Sequence, residues 1–300
     1  MWFWLAITAL LMWSGSDLFS KIGSRPDDKY SHWKMVMAVG FVMGLHAMYE
    51  IFVGKTPISM EVIIAYLPAS ALYIASMVLG YVGLRYIELS VSSPICNSSG
   101  AIAALLTFFF LGQRLSALQT VAIALVCAGV IALGIVEYME DDDARLERQK
   151  TANIQYSRSL LALLLPVLYC ILDAAGTFAD VLILETLDES MANVAYELTF
   201  LAMAVFAFLY VVVFKRQKLS IPRETPKLVA GIFETAGQFA YVYAIGANAV
   251  AAAPIISAYC AASVLWSRLF LKEKLSWKHY VAISVAIVGI VIVGVLDEIG

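Results

Sequence analysis

PICNSSGAIAALLTFFFLGQRLSALQTVAIALVCAGVIALG at residues 94–134 and PIISAYCAASVLWSRLFLKEKLSWKHYVAISVAIVGIVIVG at residues 254–294 are two versions of one pattern. Sliding the chain by 160 residues without a gap sets Pro94 on Pro254, Leu115-Ser116 on Leu275-Ser276 and Val121-Ala122-Ile123 on Val281-Ala282-Ile283. The same shift sets Gly129 on Gly289 and Gly134 on Gly294, and 13 of 41 positions match in all. Shared hydrophobicity inflates that score, so the weight falls on the aligned proline, the Leu-Ser turn and the two glycines.

Outward from this pair the chain stays apolar. Its 300 residues are 62% hydrophobic and 14% charged, with a mean hydropathy of +0.84. A soluble domain runs near 45–50% apolar and about 25% charged, so the solvent for this chain is lipid. A spanning helix needs roughly 20 apolar residues. Ten stretches qualify: 2–21, 34–53, 60–85, 90–111, 117–137, 159–184, 191–214, 226–246, 249–271 and 278–297. Between the fifth and sixth, EYMEDDDARLERQKTANIQYS is too polar for a bilayer and reads as a linker. The expected fold is an all-α integral membrane protein with two five-helix repeats, 1–137 and 159–300, joined by a linker at 138–158. Five is odd, so the second copy enters the membrane upside down. Inverted repeats of this kind characterise secondary transporters, whose solute site lies at the repeat interface near mid-membrane.

Eighteen of the twenty Lys and Arg residues lie in or beside the odd-numbered loops, leaving only Lys55 and Arg114 in the even ones. The positive-inside rule then predicts a plasma-membrane protein with odd loops in the cytoplasm and both termini outside. The N-terminus, MWFWLAITALLMW, lacks a basic leader and a small-residue cleavage site, and reads as a retained first helix. Cys96, Cys127, Cys170 and Cys260 sit singly within apolar segments and read as core residues, not as ligands or a disulfide frame. No basic patch with interleaved aromatics points to nucleic acid.

The segments RYIELSVSSPICNSSGAIAALLTFFFLGQRLSALQTVAIALVCAGVIAL and YAIGANAVAAAPIISAYCAASVLWSRLFLKEKLSWKHYVAISVAIVGIVIV resemble the drug/metabolite transporter superfamily, in particular its EamA-type ten-helix members. The shared pattern is a helix with an early proline, an end like LGQRLS or LKEKLS, and a closing helix with a late glycine. Gln113 departs from the acid often found there, whereas Glu273 keeps it. A local structural effect is expected at that helix end. The resemblance spans nearly the whole chain and implies a small-metabolite transporter with a central cavity. It does not specify the substrate.

Polar groups at membrane depth are costly, at about 2.5–3.5 kcal/mol for a central Asp, Lys or Arg. The sixth stretch carries Tyr169, Asp173, Thr177 and Asp180 on one helical face, with Asp173 near mid-depth. The eighth carries Glu234, Gln238 and Tyr241, the first Trp13, Asp17 and Lys21, and the second His46 and Glu50. Tyr73 adds a further ring, Tyr196 and Glu197 open the seventh stretch, and Pro94 and Asn97 can leave backbone carbonyls facing a cavity. The bases Lys21, Arg85 and Arg268 lie near helix ends, where they can snorkel.

The deep interior is therefore acid-rich and aromatic-rich, which favours a cationic or amine-bearing solute such as choline, a polyamine or a drug-like cation. The candidate contacts are Asp173, Glu234, Tyr169, Trp13, Tyr241, Gln238, Asn97 and Tyr73; the candidates for proton coupling are Asp173, Glu234, Glu197 and Asp17. Plain structural alternatives stand beside these. Asp17 and Lys21 can pair, Glu50 and Asp180 can face water at helix ends, and His46 can be a packed, hydrogen-bonded histidine. Asp173 and Glu234 can each hold helices together. Uniport competes with proton coupling, and export of neutral amino acids or of a lipid-linked or nucleotide-type metabolite competes with cation transport. An enzyme is not expected: GxGD, HExxH and GxSxG are absent, and His32, His46 and His279 are scattered. No cofactor or metal is expected, and either a monomer or a homodimer suffices.

Overall fold

The computed structural model describes residues 1–111, 116–140, 143, 150 and 160–299. The polar linker at 138–158 and Gln113 thus fall largely or wholly outside the described residues. Helices account for nearly everything described, and no strand occurs among the described residues. They are α1 (Trp2–Gly23), α2 (Ser31–Tyr49), α3 (Met60–Gly83), α4 (Leu89–Asn97), α5 (Ser99–Leu111), α6 (Ala117–Tyr138), α7 (Leu160–Leu184), α8 (Glu189–Phe208), α9 (Ile221–Ser257), α10 (Tyr259–Trp266) and α11 (Trp277–Ile299).

Eight helical runs are long and apolar enough to cross a membrane, and a shorter apolar helix covers Trp277–Val293. The last of the eight, Ile221–Leu271, has 51 residues. At 1.5 Å per residue it would be about 77 Å long, more than twice a hydrocarbon core of about 30 Å. The chain breaks it at Asn248, where φ is −160° and ψ 80°.

Local chemistry sets several helix ends. Ser116 opens α6 with a capping box: its hydroxyl accepts from the Gln119 N–H at 3.2 Å, and the Gln119 side chain accepts from the Ser116 N–H at 2.9 Å. Asp188 caps α8 by accepting from the N–H groups of Ser190 and Met191. The second and seventh stretches both end in a π-helical turn, at Glu50–Gly54 and Leu209–Phe214. The fourth stretch is not one straight helix. It breaks at Ser98 (ψ −13°), between α4 and α5, four residues after Pro94. The ninth breaks at Ala258 (ψ 1°), four residues after Pro254. Both prolines remove a backbone donor and crowd the preceding turn, so the two copies bend at equivalent points.

Packing pairs the two parts of the chain: α1 lies on α9, α3 on α7, α2 on α8, α6 on α11, and α4 on α10. At the α6–α11 seam the contacts are reciprocal. A Cβ on Gly129 would meet Ala286 and the Ala282 carbonyl, while one on Gly289 would meet Val126 and the Ala122 carbonyl. Each contact maps onto the other by the 160-residue shift. Glycines permit this backbone approach, as in membrane helix pairs generally. Gly40 similarly lies against the Phe200 carbonyl, its own counterpart under that shift.

Candidate functional site

The site begins with helical spacing. On α7, steps of four put Tyr169, Asp173 and Thr177 on one face; on α9 the same step aligns Glu234, Gln238 and near them Tyr241. Both faces turn to an internal cavity, joined by Trp13 and Asp17 from α1, Tyr73 from α3 and Asn97 from α4. All eight candidate contacts therefore line one chamber, as do three of the four coupling candidates. The chamber is tight, with about 80 Å³ of room for water centres.

Serine hydroxyls meet the three carboxylates. Asp17 accepts from Ser93 at 2.5 Å and Ser263 at 2.8 Å, Asp173 from Ser99 at 2.7 Å, and Glu234 from Ser16 at 2.7 Å. Among the described residues no ion pair neutralises any of the three. Three donors in the same wall also find no partner among the described residues: the Trp13 indole N–H, the Gln238 amide and the Tyr81 hydroxyl. The aromatic part of the wall is continuous, with Trp13 5.0 Å from Tyr241 and 5.8 Å from Tyr259 between ring centres. The indole lies over Gly237, in space that any larger residue would fill. Asn97 donates to the Ser93 carbonyl at 2.8 Å, taking up a carbonyl near the proline break instead of leaving it open.

Several expectations change here. Glu197 is buried away from the chamber, where it accepts from Asn193 at 3.2 Å and pairs with His46 Nδ1 at 2.8 Å. His46 is thus the packed, hydrogen-bonded histidine. Asp180 does not face water: it is fully buried and accepts from Tyr66 at 2.6 Å. One turn of α7 beyond Thr177 carries it behind Tyr73, whose hydroxyl bonds Tyr241 at 2.5 Å, Thr177 at 3.3 Å and Asp180 at 3.4 Å. Lys21 does not snorkel either. It is 1% exposed and donates to the carbonyls of Leu84 and Ile87, the latter a very short contact, in the turn that follows α3. The expected local role at Glu273 takes a definite form: its carboxylate accepts from the Ser90 N–H at 3.3 Å, on the N-terminal turn of α4. The serines at 16, 93, 99 and 263, and Tyr66, carry the polar shell that sequence reasoning missed. The SSP and NSSG runs around Pro94 were the available signal for two of them.

Long apolar helices closed around a buried, acid-lined chamber define a multi-pass membrane protein with an internal polar site. The family model of the EamA-like transporter family matches residues 1–135 and 160–295. The chain belongs to that family, within the drug/metabolite transporter superfamily, and is a membrane transporter of small solutes. No curated protein sequence matches it. Among solved structures, one described simply as a crystal structure of a protein is similar with a TM-score of 0.65 and 15% identity, covering 98% of this chain and 96% of its own. At that identity the likeness speaks for the fold alone.

Proposed function

We propose that the chain carries a small cationic or amine-bearing solute by alternating access, through ten spans arranged as two inverted five-span halves. The observation that carries the substrate class is the set of Asp17, Asp173 and Glu234 around one cavity, met by serine hydroxyls and not by cations, beside the faces of Trp13, Tyr241 and Tyr259. A solute ammonium would supply the missing positive charge, and aromatic faces add cation–π attraction when water is excluded. Residues 1–137 and 159–300 are the proposed halves. Cutting Ile221–Leu271 at Asn248 and adding Trp277–Val293 brings eight spans to ten. The reciprocal Gly129 and Gly289 contacts and the two family-model stretches of similar length support a two-fold relation between halves. The loop charges support odd loops in the cytoplasm of a plasma membrane and both termini outside. Asp173, Glu234 and Asp17 are the proposed coupling acids if protons drive transport. Glu197, paired with His46, is the weakest of the four. Neither a cofactor nor an enzymatic step enters this reading, and one chain suffices for a pathway.

Transport of choline and a diamine into proteoliposomes tests it. Asp173→Asn and Glu234→Gln should each lower uptake about tenfold or more, since a hydrogen bond to a charged group is worth about 1.5–3 kcal/mol. Undiminished uptake in both variants refutes the site. Accumulation driven by an imposed pH gradient separates proton coupling from uniport. A second reading has its own observation: the unpartnered Trp13, Gln238 and Tyr81 donors suit an acceptor group, so a neutral amino acid could place its ammonium on the acids and its carboxylate on these donors. Thermal stabilisation by neutral amino acids but not by choline or diamines would favour it.

A further inference from the structure

On the outer surface, an apolar groove of about 430 Å³ runs between α2, α8 and the start of α9. Met37, Phe41, Leu201, Val205, Phe208 and Leu219 form most of its wall, with Lys34 and Glu224 at one end. In a chain that spans a membrane, a groove among lipid-facing side chains is filled by acyl chains. What distinguishes this one is its rim.

The segment between Phe208 and Leu228, both in the wall, carries Lys215, Arg216, Lys218 and Arg223, all exposed. Lys218 is the neighbour of the wall residue Leu219 and Arg223 of the wall residue Glu224, so the backbone holds these two beside the groove; Lys215, whose ammonium lies 5.4 Å from the centre of the Tyr210 ring, and Arg216 precede them in the same loop. The loop is anchored: the Lys215 N–H donates to the Tyr210 carbonyl at 2.9 Å, and the Gln217 N–H to the Val211 carbonyl at 3.0 Å. The one acid at the mouth is already engaged, since Glu224 lies 2.9 Å from Lys227 and 3.7 Å from Lys34. Asp27 lies 3.8 Å from Arg223 and offsets part of that one charge. An apolar slot thus ends in a cluster of cations whose local acids are largely committed.

We propose that this groove is a site for one anionic phospholipid: an acyl chain lies between α2 and α8, and the phosphate and its anionic headgroup sit among Lys215, Arg216, Lys218 and Arg223. Each basic group near a membrane surface contributes about fivefold to attraction of anionic lipid. The groove adds what a loose basic loop lacks, a fixed place for the tail. The site is separate from the solute chamber and does not depend on which solute is carried.

Native mass spectrometry of the full chain in detergent tests this, with phosphatidylglycerol and phosphatidylcholine of identical acyl chains as probes. Wild type should retain one phosphatidylglycerol per chain at concentrations where phosphatidylcholine is lost. Replacing three cations together (Lys215→Gln, Lys218→Gln, Arg223→Gln) should abolish that preference, a change on the order of 100-fold. Val205→Trp, which fills the slot from its exposed side, should remove the tightly held lipid while leaving the basic rim intact. Both variants are compared at matched monodispersity. Equal retention of the two lipids by wild type overturns the proposal. So does a phosphatidylglycerol preference that survives Val205→Trp, which would make the attraction diffuse and the groove irrelevant.

Discussion

Replacing Gly129 with alanine tests the packing of α6 on α11 with one methyl group. Its Cβ would lie 2.6 Å from the Ala286 backbone nitrogen, 2.7 Å from the Ala286 Cβ and 2.8 Å from the Ala282 carbonyl. Ordinary contact begins near 3.4 Å, so the two helices must part by about 0.8 Å. Backbone atoms have no rotamer by which to yield, and the strain spreads along the whole seam. Overpacking of this sort costs about 1–3 kcal/mol. Gly289→Ala should cost nearly the same, because its Cβ would stand 2.7 Å from the Ala122 carbonyl and 2.8 Å from the Val126 nitrogen. The double variant should cost clearly less than the two singles added, since a seam opened once already has room for the second methyl. Reversible unfolding in mixed micelles measures all three. A Gly129→Ala protein within about 0.3 kcal/mol of wild type would refute the close approach. Costs that differ strongly between the two sites, or that add fully, would refute the reciprocity from which the two-fold relation is argued.

Tyr66→Phe leaves the fully buried Asp180 without its 2.6 Å donor, and unfolding should show a loss of about 1.5–3 kcal/mol, with Asp180→Asn recovering part of it. Ser116→Ala removes the capping box of α6 and should cost about 1 kcal/mol by the same measurement, with Ser116→Thr close to neutral. Asp28, in the turn between α1 and α2, is partly buried, which raises its pKa, but the Lys34 ammonium at 2.8 Å outweighs that and holds the carboxyl below its usual range. A depressed carboxylate stabilises the fold above its ordinary pKa and loses that contribution as pH falls. Wild type should therefore lose thermal stability more steeply than Asp28→Asn on acidification below about pH 4.

The fold was legible where lipid imposes one rule everywhere. Ten apolar stretches and a 160-residue repeat follow from hydropathy and a few aligned residues, because a bilayer admits few ways to satisfy a backbone. The break at Asn248 was legible as well, since the eighth and ninth stretches, 226–246 and 249–271, part there. The bends at Ser98 and Ala258 fall inside the fourth and ninth stretches, where hydropathy cannot tell a bent span from a straight one. The site was legible through steps of four: Asp173 with Tyr169, and Glu234 with Gln238, reach the same chamber. Depth was not. Asp180 shares the helical face of Asp173, and Glu197 is a like acid at the start of the next stretch, yet a turn of helix in one case and a neighbouring histidine in the other put them in other company. Lys21 looked like a snorkelling end residue because the sequence does not reveal that the carbonyls of Leu84 and Ile87 lie beside it.

Lys21 and the Tyr73–Asp180 cluster bear on how the chamber opens. Ligand sites commonly enclose about 300–1,000 Å³. Room for about 80 Å³ of water centres means that a wall must move before a solute enters. Beside the lining residue Leu84, the buried Lys21 ammonium donates to the Leu84 and Ile87 carbonyls, so moving α1 there would disturb those bonds. Desolvated charge makes that separation expensive. Tyr73 meets Tyr241, Thr177 and Asp180, and its hydroxyl and those of Tyr241 and Thr177 each bring a hydrogen, so all three contacts can be satisfied with Asp180 as an acceptor. The shortest of the three, 2.5 Å to Tyr241, joins two buried hydroxyls, so turning the Tyr73 phenol away breaks a strong contact. Any opening past Tyr73 must therefore rearrange its contacts to Tyr241, Thr177 and Asp180 together.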